Sequence, residues 1–186
     1  MTLSEIQPPT TTVELRSGLL ALHDASTDLW NTLPTDEFFS PQGNKWSPAE
    51  HVRHLNQSNG PVAAGLGTPK AALLLRFGPA FRSSRPYAEV VRVYRAALDG
   101  GLKAMGPYVP QVDPGDDPEA TRDALMGKRE RIAKRLDERL GRWGETALDR
   151  LAVRHPALGK MTVREILCFT LYHNHHHLSS VLERRV

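Results

Sequence analysis

The sequence predicts an all-α protein that folds as an antiparallel four-helix bundle with one long crossover connection. Apolar residues recur at three- and four-residue spacings in four segments, and no segment shows a competing alternation of apolar and polar residues that would indicate a strand. The length of 186 residues suffices for one sizeable core and is short for two. We therefore expect one helical domain over residues 1–186.

The first helix is predicted between the threonines at positions 10–12 and the stretch at residues 31–34. Five leucines between these limits follow the helical period: Leu15, Leu19, Leu22, Leu29 and Leu33. Leucines at these spacings give the helix one apolar face, with which it would pack against the rest of the bundle.

The second helix is predicted to begin after Ser47. A proline follows this serine at the first helical position, and Glu50 stands three residues after it, which is the pattern of a capping box. We expect the helix to continue through Phe77, with kinks near Pro61 and at residues 65–69, because proline and glycine interrupt the pattern there.

A long connection precedes the third bundle helix. Residues 87–98 look helical, but eight of the nineteen residues from Gly100 to Pro118 are glycine or proline. Asp117 and Pro118 then repeat the combination of a capping residue and a proline at the first helical position. The third bundle helix has one apolar face, marked by Leu125, Ile132, Leu136, Leu140 and Trp143.

The fourth helix is predicted to begin at a second capping box, formed by Thr162 and Glu165. One face of it carries Val163, Ile166, Leu167, Thr170 and Val181. Steps of three and four residues along this face reach His173 and His177, so both imidazoles should share one face. His175 lies about 200° around the helix from either of them and should face outward, whereas His176 could line a pocket beside His177.

Two inward histidines fit two interpretations equally well, namely packed core histidines with hydrogen-bond partners or ligands of a metal ion. A third ligand would favour the metal, because open metal sites usually take three protein groups. The second helix offers His51 and His54, which lie one turn apart, and spacing alone leaves the choice between them open. His23 and His155 have no partner nearby in sequence, and we interpret both as structural or exposed.

The segments "WSPAEHVRHL" and "HPALGKMTVREILCFTLYHNHHHLSSV" together resemble the DinB-like superfamily of metal-binding four-helix bundles, which includes bacterial thiol S-transferases. The resemblance covers most of the chain in helix order. It implies that His54, rather than His51, joins His173 and His177 as a metal ligand, with zinc expected first and nickel second. His51 and His176 would then be supporting or pocket residues.

The resemblance also implies an activity, the metal-dependent addition of a low-molecular-weight thiol such as bacillithiol, mycothiol or glutathione to an electrophile. A cation with an open position would stabilise the thiolate, which is the nucleophile. Cys168 precedes His177 by nine positions and should be a packed residue on another side of the helix. Two alternatives are a metal-dependent hydrolase, which would activate water, and a non-catalytic metal-binding stress-response protein.

Composition and sequence pattern indicate which kinds of binding partner to expect. With 24 basic and 21 acidic residues the chain is nearly balanced, and acidic residues are interspersed among the basic ones of segment 128–142, so we expect no nucleic-acid partner. No apolar run approaches the roughly 20 residues that span a bilayer, and the N-terminus lacks a signal-peptide pattern, so we expect a cytoplasmic protein without a membrane contact. A homodimer is expected from the resemblance and from Leu171 and Leu178, which we expect one bundle to leave uncovered.

Overall fold

The structure is a computed structural model that describes residues 7–41 and 43–183. The helices, in chain order, are α1 (Thr12–Thr32), α2 (Thr35–Phe39), α3 (Pro48–Leu66), α4 (Lys70–Phe77), α5 (Tyr87–Asp99), α6 (Pro118–Leu140), α7 (Glu145–Arg150) and α8 (Val163–Leu182). Two short strands, β1 (Ala152–His155) and β2 (Gly159–Thr162), lie between α7 and α8. The bundle itself consists of α1, α3, α6 and α8, which pack around an apolar core.

Two neighbouring pairs of bundle helices are antiparallel. Arg16 of α1 pairs with Asp137 of α6, and His23, further along α1, pairs with Glu130, which comes earlier in α6. Helices α3 and α8 also run in opposite directions, because His51 contacts His177 whereas His54, three residues later in α3, contacts His173, four residues earlier in α8.

The other two neighbouring pairs are parallel. Arg164, at the start of α8, donates to the carbonyl of Thr10 just before α1. Asn56 of α3 donates to the Leu125 carbonyl early in α6, and Trp143 after α6 donates to the Leu66 carbonyl at the end of α3. The order is therefore up-down-down-up, and two successive parallel helices require the long crossover between α3 and α6. This confirms the predicted helical bundle with its crossover.

The start signals read from the sequence act as predicted. Ser47 and Glu50 form a capping box at the start of α3, and Thr162 and Glu165 form one at the start of α8. The Asp117 side chain accepts the hydrogen bond that caps α6. These caps satisfy amide groups that have no partner within their helices, and they set where each bundle helix begins.

The prediction of one kinked second helix was wrong in its details. Helix α3 continues unbroken past Pro61, which is exposed, and ends at Leu66. Helix α4 is a separate element that begins after Pro69. The break falls at residues 67–69, where Gly67 caps the end of α3 and Pro69 stands immediately before α4.

The expectation of a chain without strands was also wrong, because two short strands lie between α7 and α8. Strands β1 and β2 form an antiparallel hairpin with His155 opposite Gly159. Four residues per strand are too few to show a clear alternation in sequence. The Nδ1 atom of His155 accepts from the amides of Ala157 and Leu158, 3.2 and 3.1 Å away, and so stabilises the turn. This contact agrees with the structural interpretation of His155.

The crossover is fixed to the bundle at two places. Helix α5 packs on α8 through the rings of Tyr94 and Phe169, whose centroids are 5.0 Å apart. Before α5, Arg82 and Arg85 both donate to the carboxylate of Glu165, the fully buried capping residue of α8. Burial alone would raise the pKa of Glu165, but these hydrogen bonds outweigh it and lower the pKa to about 2.

Two further expectations concern the surface. Among the described residues, no helix combines the length and apolar character needed to cross a membrane. Leu171 and Leu178 are each only 1% exposed, because they pack inside the bundle core. They were wrongly expected to remain uncovered, so they do not support the expected homodimer, which stays a prediction.

Candidate metal centre

Three buried histidine side chains converge where α3 meets α8. The Nε2 atom of His173 lies 3.2 Å from Nε2 of His54 and 3.0 Å from Nε2 of His177. One ligand nitrogen from each ring falls within 4.8 Å of the other two. The structure thus brings together the three residues that the family resemblance implied as ligands.

The positions of these histidines follow from the two helices that carry them. His173 and His177 are one turn apart on α8, and His54 lies near the start of α3, which runs in the opposite direction. Next to them, Asn59 and Asn174 donate to each other's side-chain oxygens over 3.0 and 3.1 Å. This reciprocal amide pair fixes the register of α3 against α8, and with it the separation of the three imidazoles.

The spacing of the nitrogens suits a divalent cation. Zinc–nitrogen bonds are about 2.0–2.1 Å long, so two ligands at the tetrahedral angle lie about 3.3 Å apart, and two at a right angle about 2.9 Å. The separations of 3.2 and 3.0 Å that His173 Nε2 makes with its two neighbours fall between these limits. The three histidines could therefore hold a metal ion.

The hydrogen bonds behind the ligands orient two of the rings. His54 Nδ1 lies 2.7 Å from the backbone oxygen of Tyr108. A carbonyl oxygen only accepts, so Nδ1 carries the proton and the Nε2 lone pair of the neutral ring faces the cluster. His177 Nδ1 lies 2.8 Å from Nδ1 of His51, on the far side of the ring from the cluster. Such outer partners usually orient metal-ligating histidines.

Burial keeps the three imidazoles neutral. It lowers the pKa of His54, and it lowers the pKa values of His173 and His177 well below the ordinary value of 6.5. The neighbouring histidines lower the pKa values of His173 and His177 further. Only the neutral ring can offer a nitrogen to a metal ion, because protonation occupies the lone pair. The cluster is therefore in its ligating form at neutral pH.

Aromatic rings form the walls of the site. Trp46 stacks on His177 with centroids 5.8 Å apart, and Phe169 stacks on His173 with centroids 5.0 Å apart. Tyr94 of the crossover meets His173 edge-on. Within the part of the chain that the structure describes, no further His, Cys, Asp or Glu joins the cluster. Three protein ligands leave a coordination position open, as in catalytic rather than structural metal sites.

The remaining histidines take different places. His51 is buried behind His177. His176 is half-buried beside His177, and the centroids of these two rings are 5.3 Å apart. His175 is half-buried and lies 3.5 Å from the hydroxyl of Ser179, away from the cluster. His23 is half-buried and pairs with Glu130 of α6, away from the cluster.

Two features of the site could not be assigned from the sequence. In the sequence, Trp46 was only one residue of the motif before α3, but its ring contacts His51, His54 and His177. The partner of His54 is the backbone carbonyl of Tyr108, and a backbone group leaves no mark on residue type. A tryptophan next to a capping serine and two histidines was the available signal for Trp46, and the sequence held none for the Tyr108 carbonyl.

These features define a class of protein, an up-down-down-up helical bundle with three buried histidines that could hold a metal ion. A sequence model of the DinB superfamily matches residues 19–181, and the chain belongs to that superfamily. A crystal structure described as TT2238, a four-helix bundle protein, is 16% identical, with 93% of this chain and 99% of that chain covered and a TM-score of 0.56. At this identity the likeness shows the fold alone. A comparison with curated proteins returns no match.

Replacing His51 by alanine should weaken metal binding by roughly tenfold, because the ring of His177 loses the partner that orients it. The measurement is competition for zinc against a chromogenic chelator at pH 7. His23→Ala serves as the control, since this histidine pairs with Glu130 of α6 and not with the cluster. An affinity equal to that of the wild type would show that His51 only fills space.

Proposed function

We propose that the chain is a metal-dependent thiol S-transferase, which joins a low-molecular-weight thiol to an electrophile, with zinc as the expected metal and nickel as the second candidate. The observation that carries the proposal is the cluster of His54, His173 and His177, which has three ligands and no fourth among the described residues. Membership of the DinB superfamily supports it.

The cluster would supply the activation that a thiol needs. A divalent cation held by these histidines would lower the pKa of a thiol that reaches the open position, and so make it nucleophilic near neutral pH. Neutral imidazole nitrogens suit zinc and nickel alike. The chain's own contribution is to keep the three lone pairs together and to surround them with aromatic rings that exclude water.

The chain does not offer a reactive cysteine thiol of its own. Cys168 is the single cysteine of the sequence, and it is 1% exposed within the core. Burial raises the pKa of its thiol to about 12, so the thiolate is not formed at neutral pH. A reactive thiol at this site would therefore come from a second small molecule, which supports a reaction between two substrates.

Tyr94 is placed to contact such a substrate. Its ring lies 5.8 Å from that of His173 and 6.2 Å from that of His176, measured between centroids. Burial raises the pKa of Tyr94 to about 12, so its hydroxyl keeps its proton at neutral pH. The hydroxyl would donate a hydrogen bond to a leaving group or a carbonyl of the electrophile and would not act as a base.

The test uses protein purified without a histidine tag or nickel column and then loaded with zinc or nickel. Bacillithiol, mycothiol and glutathione are each offered with a bimane halide and with an epoxide, and loss of free thiol is followed. We expect one thiol to be consumed at least tenfold faster than in the uncatalysed reaction, with the excess removed by chelator. His173→Ala should lose the excess rate, and His175→Ala should keep it.

Two results would contradict the proposal. Thiol consumption at the uncatalysed rate with every combination would exclude the transferase for the electrophiles used. Metal-dependent cleavage of an ester or amide without thiol consumption would replace it by a hydrolase, which would use water at the same open position.

A further inference from the structure

A second polar site lies inside the bundle, away from the histidines. Arg129 of α6 points into the interior and is only 4% exposed. Within the described ranges its guanidinium makes one hydrogen bond, from Nη2 to the hydroxyl of Ser26, and its buried Nε atom has no partner. A guanidinium has five N–H donors, so most of them are left without an acceptor from the chain.

Among the residues that the structure describes, no carboxylate pairs with the charge of Arg129 at contact distance. Glu130, which follows it directly on α6, and Asp137, about two turns later, pair with His23 and Arg16 of α1. The Glu130 side chain is also 67% exposed, so water screens its charge. Burial lowers the pKa of Arg129 to about 10, which leaves the side chain charged at neutral pH. Buried charges in proteins are normally paired, which makes this one an exception.

A cavity of about 40 Å³ lies beside the guanidinium, between the four bundle helices. One water molecule needs roughly 10–15 Å³ measured in this way, so the cavity has room for about three or four non-hydrogen atoms. Exposed Leu20 is among the lining residues, which places the mouth of the cavity on the α1 surface.

The inner wall of this cavity adds further donors. Asn56 and Asn59 line it. The side-chain nitrogen of Asn56 donates one hydrogen bond to the Leu125 carbonyl, and that of Asn59 donates one to the Asn174 side chain. Each therefore has a second N–H group. Guanidinium and amide donors together match the oxygens of a carboxylate or a related oxyanion.

We propose that this cavity binds a small monovalent oxyanion, no larger than acetate, which Arg129 holds together with the amides of Asn56 and Asn59. The site is separate from the histidine cluster. Asn56 follows the ligand His54 by two residues, about 200° around the helix, so Asn56 and His54 lie on opposite sides of α3. Of the three proposed donors, Asn59 is the one that also borders the histidines, through its pair with Asn174. The occupancies of the two sites can be measured independently.

The test is ligand-observed NMR, with formate and acetate titrated by saturation transfer into the full chain, with and without chelator. Binding should be saturable and independent of metal. It should weaken at least tenfold in Arg129→Gln, which cannot carry the charge, and remain unchanged in Arg135→Gln, an exposed arginine of the same helix. No saturable binding, which would mean that the cavity holds water only, or equal binding in Arg129→Gln, would overturn the proposal.

If Arg129→Gln does not fold, anions of different size test the proposal on the wild-type chain. Benzoate carries the same carboxylate on a ring that exceeds the cavity. In the wild-type chain it should fail to displace formate, whereas nitrate, with four non-hydrogen atoms, should displace it. Equal competition by benzoate would place the anion on the surface and overturn the assignment to this cavity. Either result is independent of thiol transfer, because no thiol or electrophile is present.

Discussion

Alanine in place of His54, His173 or His177 should abolish tight metal binding. Each substitution removes one of only three nitrogens in the cluster and leaves a cavity in its place. The loss should exceed the roughly 100-fold effect that removal of an outer partner of a metal ligand can reach. The measurement is elemental analysis after dialysis against a weak chelator, with the wild-type chain loaded in parallel.

The histidine run provides its own controls. His175→Ala should retain metal near the wild-type level, because this side chain contacts Ser179 rather than the cluster. His176→Ala should weaken binding by about tenfold at most, as expected for a neighbour of a ligand. Full occupancy in His173→Ala or His177→Ala, or loss of metal in His175→Ala, would contradict the assignment.

The fold should survive these substitutions. The bundle has an extensive apolar core of its own, unlike a zinc finger, whose folding depends on the metal. Circular dichroism of each variant should show the helix content of the wild-type chain. Loss of helix together with loss of metal would indicate that the cluster is a structural site.

The helices that carry the site could be predicted because their signals are local. The capping boxes at Ser47 and Thr162 set where α3 and α8 begin, and a start point together with the helical period decides which residues share a face. His173 and His177 were therefore paired correctly from spacing. The same reasoning could not separate His51 from His54, since both lie within one turn of each other on the correct side of α3.

The structure shows why the sequence pattern could not decide between His51 and His54 as the third ligand. Both His51 and His54 contact His177, but His51 reaches its Nδ1 atom and His54 lies on the Nε2 side with His173. The difference depends on the antiparallel register of α3 against α8, which the amide pair of Asn59 and Asn174 fixes. Register is a tertiary property, and only the family resemblance carried that information in advance.

The crossover was the least predictable part, and it completes the site. Its glycine and proline content indicated irregular structure, but not that Tyr94 and the carbonyl of Tyr108 would face the histidines. Such contacts arise between segments distant in sequence, so no local pattern encodes them. The crossover must therefore be held against α8 for the site to form, and the buried carboxylate of Glu165 is the group best placed to hold it.

Substitution of Glu165 should accordingly have the largest effect on stability. The side chain is fully buried and accepts hydrogen bonds from both arginines that precede α5, including one from Arg85 Nε over 3.2 Å. Removing one partner of a buried ion pair typically costs about 3–5 kcal/mol, so Glu165→Ala should lower the free energy of unfolding by that amount. Urea denaturation of the metal-free chain at pH 7 measures it. Glu50→Ala is the matched control, a capping-box glutamate with no arginine partner in the described part of the chain, and should cost about 1 kcal/mol.

The pH dependence separates the charge of Glu165 from its packing. Its pKa is about 2 in the folded chain against an ordinary 4.5, so the folded state binds the proton less readily than the unfolded state. The stabilisation, roughly 3 kcal/mol, is therefore complete above about pH 4.5 and is lost as the pH falls toward 2. Glu165→Gln resembles the protonated carboxyl, so its deficit against the wild type should shrink steadily from pH 5 to pH 3. A deficit that stayed constant over this range would mean that the side chain holds the crossover by shape and neutral hydrogen bonds, and that the two arginines contribute little through their charge.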